Sequence, residues 1–134
     1  FEAGTPNIAG VIASGTALDY INKIGLDSIA NYESELLDYA TKRLMEIEGV
    51  KIYGDNNSKT SVISFNLKDL HHYDIGSIID NEGIAVRTGH HCAQPIMDYY
   101  KISGTIRISL SFYNTKQEID SLVDAIIQAK KMLT

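Results

Sequence analysis

Only one cysteine, Cys92, occurs in the 134 residues, so no internal disulfide can form, and the paired-cysteine spacing of structural zinc sites is absent. There is no His-Glu-x-x-His run and no glycine-rich cradle for a phosphate. No apolar run is long enough to cross a bilayer and no secretory leader is recognisable, so a reducing cytoplasm is the expected home. Positive charge is in the minority: 12 Lys and Arg stand against 17 Asp and Glu, a formal net charge of −5. That balance argues against nucleic acid or an anionic membrane as the main partner, since both call for a basic surface. Internal repeats, low-complexity tracts and linker-like runs are also missing, so residues 1–134 are expected to form one domain.

The apolar residues that are present fall into recognisable periods. Thr5-Pro6-Asn7 reads as a helix start, with threonine as the cap and proline at the first helical position, followed by Ile8, Val11, Ile12, Leu18 and Ile21. Gly25 should end that helix and Asp27 should cap a second, which carries Leu36, Leu37, Ala40, Leu44 and Ile47 as far as Gly49. The two helices are expected to pack together. Val50 to Tyr53 and Ser61 to Leu67 read as strands around a turn-rich run from Gly54 to Lys59. A helix over Asp74 to Asn81 should stop at Gly83 and lead into a strand over Ile84 to Val86.

Pro95 is expected to open a brief helical turn, and Thr105 to Leu110 alternates as a further strand. Thr115-Lys116-Gln117-Glu118 fits the capping box, and Ile119, Leu122, Val123, Ile126 and Ile127 line one side of a closing helix. Short strands interspersed with helices predict an α/β two-layer sandwich, in which helices cover a small, largely antiparallel sheet.

The densest chemistry lies between Ile84 and Tyr113. Cys92 is flanked by His90, His91 and Arg87, and cations beside a thiol favour the nucleophilic thiolate. The competing reading is a buried, inert thiol, because free cysteine is among the most buried residue types. Arg107 shares one strand face with Thr105 and Ser109, where a planar guanidinium could grip a carboxylate through two parallel hydrogen bonds; a solvated strand face is the alternative. His71, His72, His90 and His91 lack ligand spacing, so no metal is expected, and His71 and His72 read as solvated or capping residues. Asp74, Asp80 and Glu82 flank a helix and offer no acid/base pair.

Arg87-Thr88-Gly89-His90-His91-Cys92-Ala93-Gln94-Pro95, followed by Arg107-Ile108-Ser109-Leu110-Ser111-Phe112-Tyr113-Asn114-Thr115, resembles the C-terminal part of a SufS-type cysteine desulfurase. The opening Phe1-Glu2-Ala3-Gly4-Thr5-Pro6-Asn7 is similar to the same family, and the segments match in order across nearly the whole chain. The resemblance implies the small C-terminal domain of a pyridoxal-phosphate enzyme of aminotransferase fold type I, class V. Such an enzyme converts L-cysteine to L-alanine and keeps the sulfur as a persulfide for iron-sulfur cluster assembly. Cys92 would be the nucleophile. Arg107 would hold the substrate α-carboxylate with Arg87 and His91 beside it, and Thr5 would reach the cofactor phosphate of the neighbouring subunit in a homodimer.

The family's Schiff-base lysine follows a histidine, and no His-Lys pair occurs here; the histidine that stacks on the cofactor ring is missing too. A chain that starts at Phe1 is therefore expected to be a fragment without its large cofactor-binding domain, with no bound cofactor and no activity alone. Tyr73 stands where relatives serving a zinc-bearing SufU-type acceptor tend to place a histidine, so a SufE-like sulfur acceptor is expected. Selenocysteine lyase shares the scaffold and remains an alternative, as does a non-catalytic docking or dimerisation module with a packed cysteine.

Overall fold

Alternation along β2 decides which side of the sheet becomes core. In the computed structural model, which describes residues 3–54 and 59–134, β2 (Val62–Leu67) buries Ile63, Phe65 and Leu67 while Val62, Ser64 and Asn66 stay half-exposed on the other face. β1 (Val50–Tyr53), β3 (Arg87–Gly89) and β4 (Thr105–Ser109) complete a sheet of order β1-β2-β4-β3. Every pairing is antiparallel. The expectation of a small antiparallel sheet with covering helices is thus met.

Three helices bring apolar stripes to the core face: α2 (Leu26–Met45), α3 (His72–Asn81) and α5 (Lys116–Leu133). Leu36, Ala40 and Leu44 of α2 meet Ile119, Leu122 and Ile126 of α5 in one cluster with Phe65, Ile106 and Ile108 of the sheet. Burying a large apolar side chain of this kind contributes roughly 1.5–3 kcal/mol. The capping box at α5 forms as expected, with the Thr115 hydroxyl accepting from the Glu118 amide and the Glu118 carboxylate accepting from the Thr115 amide. Tyr39 and Arg43 of α2 both donate to Asp120 of α5, at 2.7 and 2.9 Å, and pin the two helices at their polar edge.

Several local expectations are corrected. The cap of α1 (Ile8–Ile24) is Asn7 rather than Thr5, because the Asn7 side-chain oxygen reaches the Gly10 amide at 3.0 Å. Helix α2 has Gly25 at its N-cap with φ 95, so Asp27 falls in the first turn instead of capping. The expected packing of the first two helices is only partial: α1 touches α2 but buries none of its residues, and Ile8, Val11, Ile12 and Leu18 remain exposed. Helix α3 begins two residues early, at His72; His71 caps it by accepting from the Tyr73 amide, and His72 is buried rather than solvated. Most of the turn expected over Gly54 to Lys59 lies outside the described residues.

The strand expected over Ile84 to Val86 is displaced to Arg87–Gly89. The Ile84 amide is still held by the Ile79 carbonyl of α3 at 3.2 Å, and Ile84 and Val86 pack against the edge of the core. Ladder pairing therefore starts only at Arg87, opposite Arg107.

Candidate functional site

Arg107 sits on the face of β4 that the core does not use. Ile106 and Ile108 point into the helical layer, so Thr105 and Arg107 project from the opposite side, as the alternation predicts. The sheet register places a single row across all four strands: Tyr53 pairs with Ser64, Ser64 with Arg107, and Arg107 with Arg87. Directly paired residues share a face, so these four side chains come together although 54 positions separate the first and last members in sequence, 107 minus 53.

The cysteine loop returns to that row at His91, which lines one cleft with Tyr53, Ser64 and Arg107. β3 ends at Gly89, whose φ of 112 reverses the chain, and His91 and Cys92 both adopt left-handed backbone conformations with φ 55 and 58. Non-glycine residues in that region are strained by roughly 1–3 kcal/mol each. A turn from the Ala93 amide to the His90 carbonyl, 2.9 Å long, closes the loop. α4 (Gln94–Tyr100) follows with Pro95 in its first turn; its Met97 is buried and lines the same cleft with Ile102. Tyr100 meets Tyr53 of β1 edge-on, with ring centroids 5.2 Å apart.

Between the row and α4 lies a cleft of about 310 Å³ lined by Tyr53, Ser64, His91, Met97, Tyr100 and Arg107 among others. A smaller hollow of about 100 Å³ near Ile84, Leu110 and Leu122 has Glu118 as its single charged group and lies apart from the thiol. The Arg107 Nε and the His91 Nδ1 are buried and have no hydrogen-bond partner among the described residues. Burial lowers the His91 pKa, and the nearby Arg107 guanidinium pushes it the same way, so the ring is neutral near pH 7. His91 Nε2 is 2.8 Å from the Thr105 hydroxyl.

Cys92 is exposed, which goes against the packed, inert reading, and the Arg87 Nη2 lies 3.9 Å from its sulfur. The structure thus brings together Cys92, Arg87, His91 and Arg107. Thr5 is not among them; it is exposed ahead of α1 and does not line the cleft. Tyr53 and Ser64 were not recognised from sequence, since only the strand register reveals that they flank Arg107. The role of Gly104 was also hidden: a Cβ there would fall 2.7 Å from the His72 ring nitrogen Nε2 and 2.8 Å from the Gly89 carbonyl carbon, so glycine lets β4 start tight against the cysteine loop.

Chemically, the Arg107 guanidinium and a neutral imidazole over an apolar floor, with Arg87 next to Arg107 on the neighbouring strand, suit a small anion such as an amino-acid carboxylate. The same cleft does not fit pyridoxal phosphate as its sole host. No lysine lines it, so it offers no amine to hold the cofactor aldehyde. Among the described residues no group of three or more His, Cys, Asp or Glu side chains could hold a metal, and no helix is long and apolar enough to cross a membrane.

The aminotransferase class-V family model matches residues 1–122. A cysteine desulfurase of Escherichia coli is 49% identical over 133 residues, covering 99% of this chain and 32% of the relative. A probable cysteine desulfurase of Xylella fastidiosa is 44% identical over the same shares. Among solved structures, the apo cysteine desulfurase of Thermococcus onnurineus superposes with a TM-score of 0.91 at 40% identity, over 98% of this chain and 33% of that one. The cysteine desulfurase CsdA of Escherichia coli, in an S-sulfonic acid form, gives 0.91 at 33% identity, over 100% and 33%. The chain spans about a third of the length of the curated relatives it matches, 32%. These shares do not support the expected C-terminal placement within them. With a family match over nearly its whole length and the fold shared, the chain belongs to the aminotransferase class-V family.

Proposed function

We propose that this chain is the part of a cysteine desulfurase that carries the sulfur-accepting thiol and the grip on the substrate carboxylate. The observation that supports this most directly is the exposed Cys92 beside Arg87, next in the loop to His91, which lines one cleft with Arg107, whose Nε has no hydrogen-bond partner among the described residues. In this reading Arg107 binds the α-carboxylate of L-cysteine, with His91 and Arg87 beside it. The Cys92 thiolate attacks the substrate sulfur, a new S–S bond forms as the Cβ–S bond breaks, and alanine leaves. Pyridoxal phosphate, held mainly by residues outside this chain, would supply the electron sink for that cleavage in the intact enzyme. Thr5 reaching the cofactor phosphate across a homodimer belongs to the same proposal, and so does the C-terminal position of this segment, which the sequence resemblance alone carries.

A SufS-type enzyme that passes sulfur to a SufE-like acceptor for iron-sulfur assembly is the finer form of the reading. It is supported by the short His90-His91-Cys92 loop and by Tyr73, which is exposed. The decisive experiment uses the full-length enzyme with Cys92→Ala. Transfer of persulfide sulfur to an acceptor should vanish, and unchanged transfer would sink the proposal. Turnover on cysteine against selenocysteine separates the desulfurase from a selenocysteine lyase.

A further inference from the structure

The His91-Cys92 pair needs something to hold it in its left-handed conformation, because side-chain sterics oppose two such residues in succession. Two side-chain contacts tie this part of the loop to the sheet among the described residues: Arg87 to the Cys92 sulfur at 3.9 Å, and Thr105 to His91 at 2.8 Å. The first is long and its partners are exposed. The second is short and anchored deep: Thr105 is 1% exposed, on β4, two residues before Arg107 on the same face. Its hydroxyl can donate or accept, so the bond forms with either tautomer of the ring. Leaving a buried group of this kind unpaired disfavours the folded loop, which is why the bond acts as a latch.

We propose that Thr105 is a positioning residue: its hydroxyl latches the His91 ring, and through it holds the left-handed His91-Cys92 backbone so that the thiol stays beside Arg87. The latch itself stands on geometry alone, whereas its consequence for turnover rests on the desulfurase reading. Neither Ser109 nor Ser64 can substitute, since each stands elsewhere in the register, opposite Val62 and Arg107 respectively.

The test reads hydrogen exchange at the Ala93 amide, whose bond to the His90 carbonyl closes the loop. In the 134-residue chain, Thr105→Val keeps the shape and removes the hydroxyl. Exchange at Ala93 should speed by about threefold or more, the change expected when one net hydrogen bond is lost, while the amides of α5 are unaffected. Thr105→Ser should restore the slow rate. His91→Ala breaks the same bond from the loop side and covers the case in which the valine variant does not fold. The double variant should exchange no faster than either single one if a single bond carries the effect. Unchanged exchange in Thr105→Val or His91→Ala, or additive effects in the double variant, would overturn the latch. In the full-length enzyme, Thr105→Val should lower kcat several-fold with KM nearly kept, and the serine variant should recover it. Faster Ala93 exchange with intact turnover would keep the latch and count against the desulfurase reading of the loop.

Discussion

Arg87 on β3 lies directly across the ladder from Arg107 on β4. Among the described residues neither forms an ion pair with a carboxylate. Like charges placed directly opposite one another disfavour the sheet by a few tenths of a kcal/mol to about 1 kcal/mol. A fold that keeps such a pair beside a cleft, with Arg107 in its lining, is arranged to attract an anion there. Replacing the exposed Arg87 by Gln should therefore leave the chain as stable as before or slightly more stable by urea denaturation, while KM for cysteine in the full-length enzyme rises.

Arg107 is the deeper of the two, and its Nε is buried without a hydrogen-bond partner among the described residues. Charge-assisted hydrogen bonds contribute roughly 1.5–3 kcal/mol. Arg107→Gln should raise KM for L-cysteine by about ten- to hundredfold. Arg107→Lys should recover only part of this, because an ammonium cannot make the parallel pair of bonds. Steady-state kinetics on the full-length enzyme decide it, and an unchanged KM would remove Arg107 from the carboxylate site.

Helix α3 approaches β3 through Gly76, where an added Cβ would fall 2.3 Å from the Thr88 methyl carbon. Threonine is branched and stiff at χ1, so it cannot swing clear cheaply. Gly76→Ala should destabilise the chain by about 1–3 kcal/mol in urea unfolding. Adding Thr88→Ser, which removes that methyl, should restore most of the loss.

His72 is buried in α3, and its pKa is lowered, first by burial and then by the neighbouring His71 and His91, with Asp74 opposing. A histidine whose folded value lies below its unfolded value of about 6.5 binds fewer protons in the folded state at mildly acid pH. Its contribution is whole above that unfolded value and is lost as the pH falls through the lowered folded value. Stability should thus decline from pH 7 toward pH 5, and His72→Gln should flatten that decline. Equal slopes for both proteins would place the effect elsewhere.

The capping box at α5 joins Thr115 to Glu118 in both directions, and the Glu118 carboxyl is held below its ordinary pKa by the Thr115 amide and then by Asn114. Thr115→Ala should cost about 1 kcal/mol in thermal or urea unfolding.

Much of this was legible from residues taken one segment at a time. The capping box, the stripes of α2 and α5 and the inward and outward alternation of β4 follow from local periods that the packed fold keeps. The displaced strand at Arg87–Gly89 was not legible, because Ile84 and Val86 look like strand residues while serving the edge of the core. The first helix shows the same limit, since its apolar residues read as a packed face and yet are exposed in the structure.

By itself the sequence determined the chemical inventory: one thiol, basic neighbours around it, an arginine on the polar face of a strand, and no histidine-lysine pair. Those are properties of residue type and short spacing, so they need no partner strand to be read. Only the tertiary structure decided that Tyr53, Ser64, Arg107 and Arg87 form one row, and that Cys92 is exposed beside Arg87. Strand register is a choice between segments far apart in the chain, made by the burial of Phe65, Ile106 and their helical partners, and shifting it by one residue would turn Arg107 into the core.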